Sequence, residues 1–209
     1  MPTLNVVRHP LVQHKLRILR DASTSTGEFR RVCREVTLLA AYVALADLPV
    51  EDTTVQTPLA IAAAQRLVEP PPAVVGVLRA GLVMVDALLE LLPEAAVGHL
   101  GMYRDHETHE PVDYYAKLPD RMDRRAAVVV DPMLATGGSA SHALGRVKAA
   151  GCTDVRLFCI VGCPEGVEAV HAAHPDVAVT LAALDDRLNE DAYIVPGLGD
   201  AGDRVFGTP

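Results

Sequence analysis

The sequence predicts an α/β protein with a mostly parallel central sheet flanked by helices, an N-terminal helical arm and an irregular C-terminal hood. Two observations predict it. Between residues 73 and 184, apolar runs rich in Val and Leu alternate with helix-length amphipathic stretches. Such alternation implies right-handed crossovers joining parallel strands, with helices on both faces of the sheet. Half of the 209 residues are hydrophobic but only 4% are aromatic, so the core must be built from Ala, Val and Leu, as in strands buried on both faces. This length suits one sizeable domain with its own core. Residues 1–209 therefore divide into an arm of about 1–50, a core of about 70–185 and a hood of about 186–209.

The elements follow in chain order. Ser25 and Glu28 have capping-box spacing. The helix they open carries Phe29, Val32, Val36, Leu39 and Val43 at helical intervals. Its apolar second half predicts burial against another body, a second subunit being one choice. Thr57-Pro58 predicts the start of a further helix, "LAIAAAQRLV", stopped by the prolines at 70–72. "AVVGVL" (73–78) reads as a buried strand and Gly81–Leu92 as a helix ending at Pro93. "AVGHLGMY" is the next strand, and the charged "RDHETHEPVD" reads as an exposed loop. "RAAVVV" (125–130) is a strand, Ser139–Ala150 a helix closed by Gly151, and "VRLFCIV" another strand. A short helix over 164–173 and the strand "VAVTLAAL" complete the core. The tail "NEDAYIVPGLGDAGDRVFGTP" has neither period, but its Tyr193, Ile194, Val195, Leu198, Val205 and Phe206 predict an ordered lobe rather than a disordered end.

Composition excludes several classes. The net charge of −8, from 27 acidic and 19 basic residues, argues against nucleic acid or an anionic membrane as partner, since either needs a basic stripe. The apolar stretch Ala73–Leu92 is long enough to span a bilayer, but Arg79, Asp86 and Glu90 interrupt it. "MPTLNVVRHPLVQHK" has no extended apolar region before a small-residue cleavage site, so no signal peptide is expected. Cys33, Cys152, Cys159 and Cys163 lack metal-ligand or framework spacing and read as reduced thiols of a cytoplasmic protein. His106 and His109 are three apart, with Pro111 following, so they do not form a zinc motif.

The chemistry is carried by "AVVVDPMLATGGSASHAL", residues 127–144. In parallel α/β sheets ligands bind at the carboxyl ends of the strands, where Asp131 stands. Thr136-Gly137-Gly138-Ser139 then turns into a helix, and its glycines permit positive φ and close backbone approach. Ser139, or Thr136 before it, is the expected cap. Amides at the positive end of the helix dipole, next to a carboxylate, make a phosphate cradle. A Walker loop would need Lys, a dinucleotide fingerprint would need Gly at 139, and a nucleophile elbow would need Gly at 141; none is present. A capped strand-to-helix turn with no ligand is the bland alternative.

"VVVDPMLATGGS" resembles the donor loop of type I phosphoribosyltransferases, in the form seen in the uracil phosphoribosyltransferases. "HPLVQHKLRILRD", "LRAGLVM" with "GMYRDHET", and "YIVPGLGDAGDRVFGT" agree with that family in the same order, so the resemblance runs over nearly the whole chain. It is thin over 50–72, where relatives often carry a β-hairpin. Pro132 follows Asp131 where the wider superfamily has a second acid, and Ala192 stands where many relatives have Gly.

The resemblance implies transfer of a phosphoribosyl group from 5-phospho-α-D-ribose 1-diphosphate to uracil N1, giving UMP and diphosphate. It implies Asp131, Arg104 and Asp200 as catalytic residues. Donor binding falls to Arg79, Arg104, Asp131, Pro132, Met133, Leu134, Ala135, Thr136, Gly137, Gly138, Ser139 and Asp200. Uracil binding falls to Ile194, Gly199, Asp200 and Ala201. Mg²⁺ is the implied cofactor, held mainly through substrate oxygens with Asp200 as its protein-side candidate, and GTP is an implied activator of some bacterial relatives. A homodimer or larger homo-oligomer is expected, in the cytoplasm, without nucleic acid or membrane. Each assignment has a plainer rival. Arg79 could pair with Asp86 or Glu90, Arg104 could be a solvated loop residue, and Asp200 could merely stabilise a Gly-rich turn. Two functional alternatives stay open on the residues: an RNA-binding pyrimidine regulator with the same fold, and a phosphoribosyltransferase for another base.

Overall fold

The computed structural model describes residues 3–104 and 111–208, with the side chains of Arg104 and Pro111 outside that description. The arm holds β1 (Leu4–Val6), α1 (Pro10–Arg20) and α2 (Thr26–Ala44). α1 starts where Pro10 needs no amide partner, and His9 Nδ1 accepts from the Leu11 N–H at 3.2 Å. α2 starts at Ser25, whose hydroxyl accepts from the Glu28 N–H. Its stripe of Phe29, Val32, Val36 and Ala40 is fully buried. That face is covered within the chain, by α1, by later helices and by the sheet, rather than by a second subunit.

The stretch expected as a helix from Thr57-Pro58 is instead an antiparallel hairpin of β2 (Val50–Gln56) and β3 (Ile61–Leu67). Thr57 stops the strand rather than opening a helix: its hydroxyl accepts from the Ala60 N–H and donates to the Ala60 carbonyl. Ala62 to Ala64 favour helix intrinsically, but the β-branched Thr53, Thr54 and Val55 across the ladder supply pleated partners that override propensity.

The core contains β4 (Ala73–Leu78), α3 (Leu82–Leu91), β5 (Ala96–Arg104), β6 (Pro111–Lys117), β7 (Ala126–Val130), β8 (Met133–Leu134), α4 (Gly138–Ala149), β9 (Asp154–Gly162), α5 (Pro164–Ala173) and β10 (Ala178–Leu184). Val112 and Asp113, expected in a loop, lie in β6, a polar edge strand whose leading Pro111 is tolerated because edge positions need fewer ladder donors. The sheet order is β1-β10-β9-β7-β4-β5-β6, with β8 also on β9, and only β6 runs antiparallel. The hood is less irregular than its sequence: β11 (Arg187–Leu188) pairs with β12 (Ile194–Val195), and α6 (Ala201–Phe206) follows.

Period-two alternation sorts the strands into two hydrophobic layers. Val74, Val128, Phe158 and Ile160 face α1, α2, α3 and the hood, while Val75, Val129, Leu157 and Leu181 face α4 and α5. Among the described residues no helix is long and apolar enough to cross a membrane. The four cysteines are free and buried.

Candidate active site

The strand order reverses between β4 and β7. β4 leads outward to β5 on one side, whereas β7, β9 and β10 build the other. At such a switch point the loops leaving neighbouring carboxyl ends diverge and open a crevice. Here the crevice is a cleft of about 320 Å³ walled by Arg79 and Ala80 after β4, Asp131 and Met133 after β7, and Ile194, Gly199, Asp200 and Ala201 of the hood. A second chamber of about 520 Å³ adjoins it and shares Asp131, Met133, Ala135, Tyr193 and Asp200, with Thr136, Gly137 and Ser139 as its far wall. Most residues anticipated from sequence for donor and base therefore line one joined space; Pro132 and Gly138 line neither chamber.

Asp131 stands where the two chambers join. Its backbone N–H donates to the Phe158 carbonyl, and its carboxylate accepts from the Met133 N–H at 3.3 Å. Burial pushes its pKa up to about 7, against the Met133 hydrogen bond, which lowers it; the nearby Asp200 carboxylate adds to the rise. The Pro132 carbonyl accepts from the Ile160 and Val161 amides, which fixes the turn below the carboxylate. Leu134 is buried beneath the cradle and also lines the second chamber.

The cradle turns at Gly137, with φ +81°. A Cβ there would lie 2.8 Å from the Gly166 carbonyl oxygen and 2.9 Å from Ala169 Cβ, so both conformation and packing require glycine. Gly137 itself is the N-cap of α4, with no side-chain cap bond. Ser139 is therefore not the cap. Thr136 comes nearer that role, its hydroxyl accepting from the Gly138 N–H at 3.4 Å. No carbonyl of α4 can reach its leading amides, so this end of the helix, whose Gly137 N-cap carries no side chain, suits an anionic group.

Arg79 lies at the cleft mouth with its side chain 56% exposed. It pairs with neither Asp86 nor Glu90; Glu90 is taken by Arg34. Arg79 Nη2 instead donates to Asp203 Oδ1 at 3.1 Å, and Nη1 to Thr208 Oγ1 at 3.4 Å. An exposed pair of this kind is worth about 0–1 kcal/mol, so it exchanges readily for a ligand. Asp200 lines both chambers and also caps α6, accepting from the Asp203 N–H at 2.9 Å. Its turn-stabilising and site-lining roles coexist. The backbone of Arg104 ends β5, while its side chain, His106 and His109 lie outside the described residues. No cluster of three or more His, Cys, Asp or Glu that could hold a metal occurs among the described residues.

Sequence reasoning missed Ala80 and Gly202 in the cleft wall, Asp203 paired with Arg79 at its mouth, and Arg204 behind it. Arg204 donates to the Leu198 and Asp21 carbonyls and stacks 4.2 Å from the centre of the Phe29 ring. The Asp-x-x-Asp spacing from Asp200 was the available signal, because a capping acid followed by a second acid marks a helix start.

The uracil phosphoribosyltransferase family profile matches residues 6–208. The chain is 53% identical over 208 residues to the uracil phosphoribosyltransferase of Streptococcus pneumoniae strain R6, covering all of both chains. It is 52% identical over the same length to that of Halalkalibacterium halodurans. Among solved structures, the AQ2163 protein of Aquifex aeolicus superposes with a TM-score of 0.91 at 34% identity over 98% of each chain. The adenine phosphoribosyltransferase of Trypanosoma brucei, in complex with AMP, pyrophosphate and ribose-5-phosphate, has a TM-score of 0.61 at 14% identity over 92% of this chain and 88% of that one. The second likeness shows the fold alone.

Proposed function

Because the chain belongs to the uracil phosphoribosyltransferase family, we propose that the joined chambers hold its two substrates side by side, the donor over residues 131–139 and the base against the hood. The enzyme is a glycosyltransferase of pyrimidine salvage that joins uracil to the phosphoribosyl group of 5-phospho-α-D-ribose 1-diphosphate. The observation that carries the residue assignment is the meeting of Asp131, the first turn of α4 and Asp200 in one space at the switch point.

In this reading the 5′-phosphate sits on the amides of residues 135–139, where the α4 dipole and a glycine N-cap favour an anion. The Asp131 carboxylate accepts from the ribose hydroxyls. Bond breaking at C1 builds positive charge on the sugar and negative charge on the departing diphosphate, so acceptors belong near the ribose and cations near the leaving group. Arg79 and Arg104 are the assigned cations, since guanidinium offers rigid paired donors to phosphate oxygens. Arg79 exchanges Asp203 and Thr208 for the diphosphate. Backbone groups of Ile194, Gly199 and Ala201, with Asp200, face the carbonyls and N–H of uracil. Cytosine is rejected where its amino group would leave a buried donor unpaired.

Asp131 and Asp200 suit a hard cation such as Mg²⁺, because both are oxygen donors and their mutual repulsion is relieved by positive charge. Such a cation would neutralise diphosphate charge while taking most of its ligands from the substrate. Residues 1–209 act as one phosphoribosyltransferase domain, supported by a hydrophobic layer that runs from Val7 to Val205. A homo-oligomer is supported by apolar residues at the hairpin tip, Leu59 and Ile61, and by Tyr42 on α2, which are 96%, 72% and 86% exposed. Four reduced cysteines support a cytoplasmic site. A role for GTP rests on the resemblance alone. The direct test supplies uracil, the ribosyl donor and Mg²⁺ and separates products by chromatography. UMP and diphosphate in equal amounts are expected. Equal use of cytosine would overturn the base assignment, and turnover unchanged in Asp131→Ala would overturn the donor assignment.

A further inference from the structure

The geometry points to the Arg20–Asp185 ion pair as a positioning device that sets the base-reading loop and, through it, the affinity for uracil. This inference rests on the assignment of Ile194 and Gly199–Ala201 to the base.

Arg20 is the last residue of α1 and Asp185 follows β10, so the two are far apart in sequence. Asp185 is only 6% exposed. The guanidinium grips its carboxylate as a fork, Nη1 to Oδ2 at 2.7 Å and Nη2 to Oδ1 at 2.6 Å. The same two groups also hold both polar ends of one hood residue. The Gly197 N–H donates to Asp185 Oδ2 at 2.8 Å, and the Gly197 carbonyl accepts from Arg20 Nη1 at 3.1 Å. Gly197 has φ +62°, and a Cβ on it would lie 2.1 Å from the Ile194 carbonyl oxygen. The loop thus doubles back onto Ile194 at the residue the ion pair holds, and any movement of the pair moves Ile194 and Gly199 on either side.

Stability explains this arrangement poorly. A largely buried ion pair loses in desolvation much of what it gains in attraction, and its removal in favour of apolar packing is often neutral. What a bidentate fork supplies is direction. Neither Arg20 nor Asp185 lines the chambers. Their effect on the reaction must therefore pass through Gly197, which makes them positioning residues.

The test measures initial rates with uracil and the ribosyl donor varied separately in Arg20→Ala, Arg20→Lys and Asp185→Asn. For Arg20→Ala, KM for uracil should rise about tenfold or more, while kcat and the donor KM stay within about threefold. Methylguanidinium added to that variant should recover much of the lost uracil affinity. Arg20→Lys should fall between, because an ammonium is a point charge without a fork. Should Arg20→Ala fail to fold, Asp185→Asn carries the test and should show the same one-sided rise. Equal rises in both KM values, or no rise in either, would overturn the inference, as would failure of methylguanidinium to restore folded Arg20→Ala. Hydrogen exchange of the wild-type enzyme with UMP separates the two layers of argument. Unprotected amides over 194–201 would sink the base assignment itself; protection there, with uracil KM unmoved in the variants, would sink only the ion pair's role.

Discussion

At the scale of single residues, Asp131 has the most telling environment. Its folded pKa of about 7 lies above the ordinary 3.8. A carboxyl raised in this way stabilises the fold while protonated; the contribution is complete below the ordinary value and is lost as pH climbs through about 7. The thermal midpoint of the unliganded enzyme should therefore fall between about pH 5 and pH 8, and Asp131→Asn should flatten that part of the curve. Donor binding needs the carboxylate, so below pH 7 it should release a proton, seen by calorimetry in two buffers of different ionisation enthalpy. No proton release at about pH 6 would contradict the assignment. Ala192 offers a second reading. It lines both chambers and has φ +62°, in the left-handed region that favours glycine. Ala192→Gly relieves about 1–2 kcal/mol of steric cost and gives back about 0.4–1 kcal/mol through the freer unfolded chain. A net gain of 0 to about 1.6 kcal/mol in urea unfolding is expected, and a clear loss would contradict it. The family resemblance implies Gly at this position, and the backbone angle found here is one that favours glycine. The Arg79–Asp203 pair was not legible in the same way, because nothing in a linear pattern joins residues so far apart.

At the scale of elements, legibility followed burial. β4, β7, β9 and β10 are covered on both faces, and such strands must be runs of Val, Leu and Ile, which the sequence displays openly. The turn from β7 into α4, the proposed donor cradle, stood out for a related reason: a strand ending in a carboxylate before two glycines has few structural uses. β2, β3 and β6 were hidden because they are exposed or at an edge, and their stability comes from partners rather than from their own composition. Ala62–Ala64 read as helix until Thr53–Val55 were seen opposite them. α6 was hidden because six residues are too few to show a period, and its signal was a cap at Asp200 rather than a pattern.

At the scale of the whole molecule, the acidic balance and the site divide the work. A net charge of −8 repels anions at long range, so on the proposed reading short-range groups hold the anionic donor: Arg79, the α4 first turn and the assigned Arg104. The hairpin meanwhile extends apolar Leu59 and Ile61 into solvent. A second copy of the chain is the occupant we assign to that tip. Sedimentation should give at least twice the monomer mass, and Leu59→Glu with Ile61→Glu should shift the enzyme toward monomer. A monomeric parent protein would overturn the assignment. The joining of the hood to the arm, through Arg204 to Asp21, Arg30 to Val205 and Arg20 to Asp185, also orders events at the ribosome. Residues 131–139 precede 194–201, so on the proposed reading the donor cradle can close on β9 and α5 before the pocket that chooses the base is made. Base selectivity then follows the cradle, because it waits for the hood to reach the arm helices that precede it in the chain.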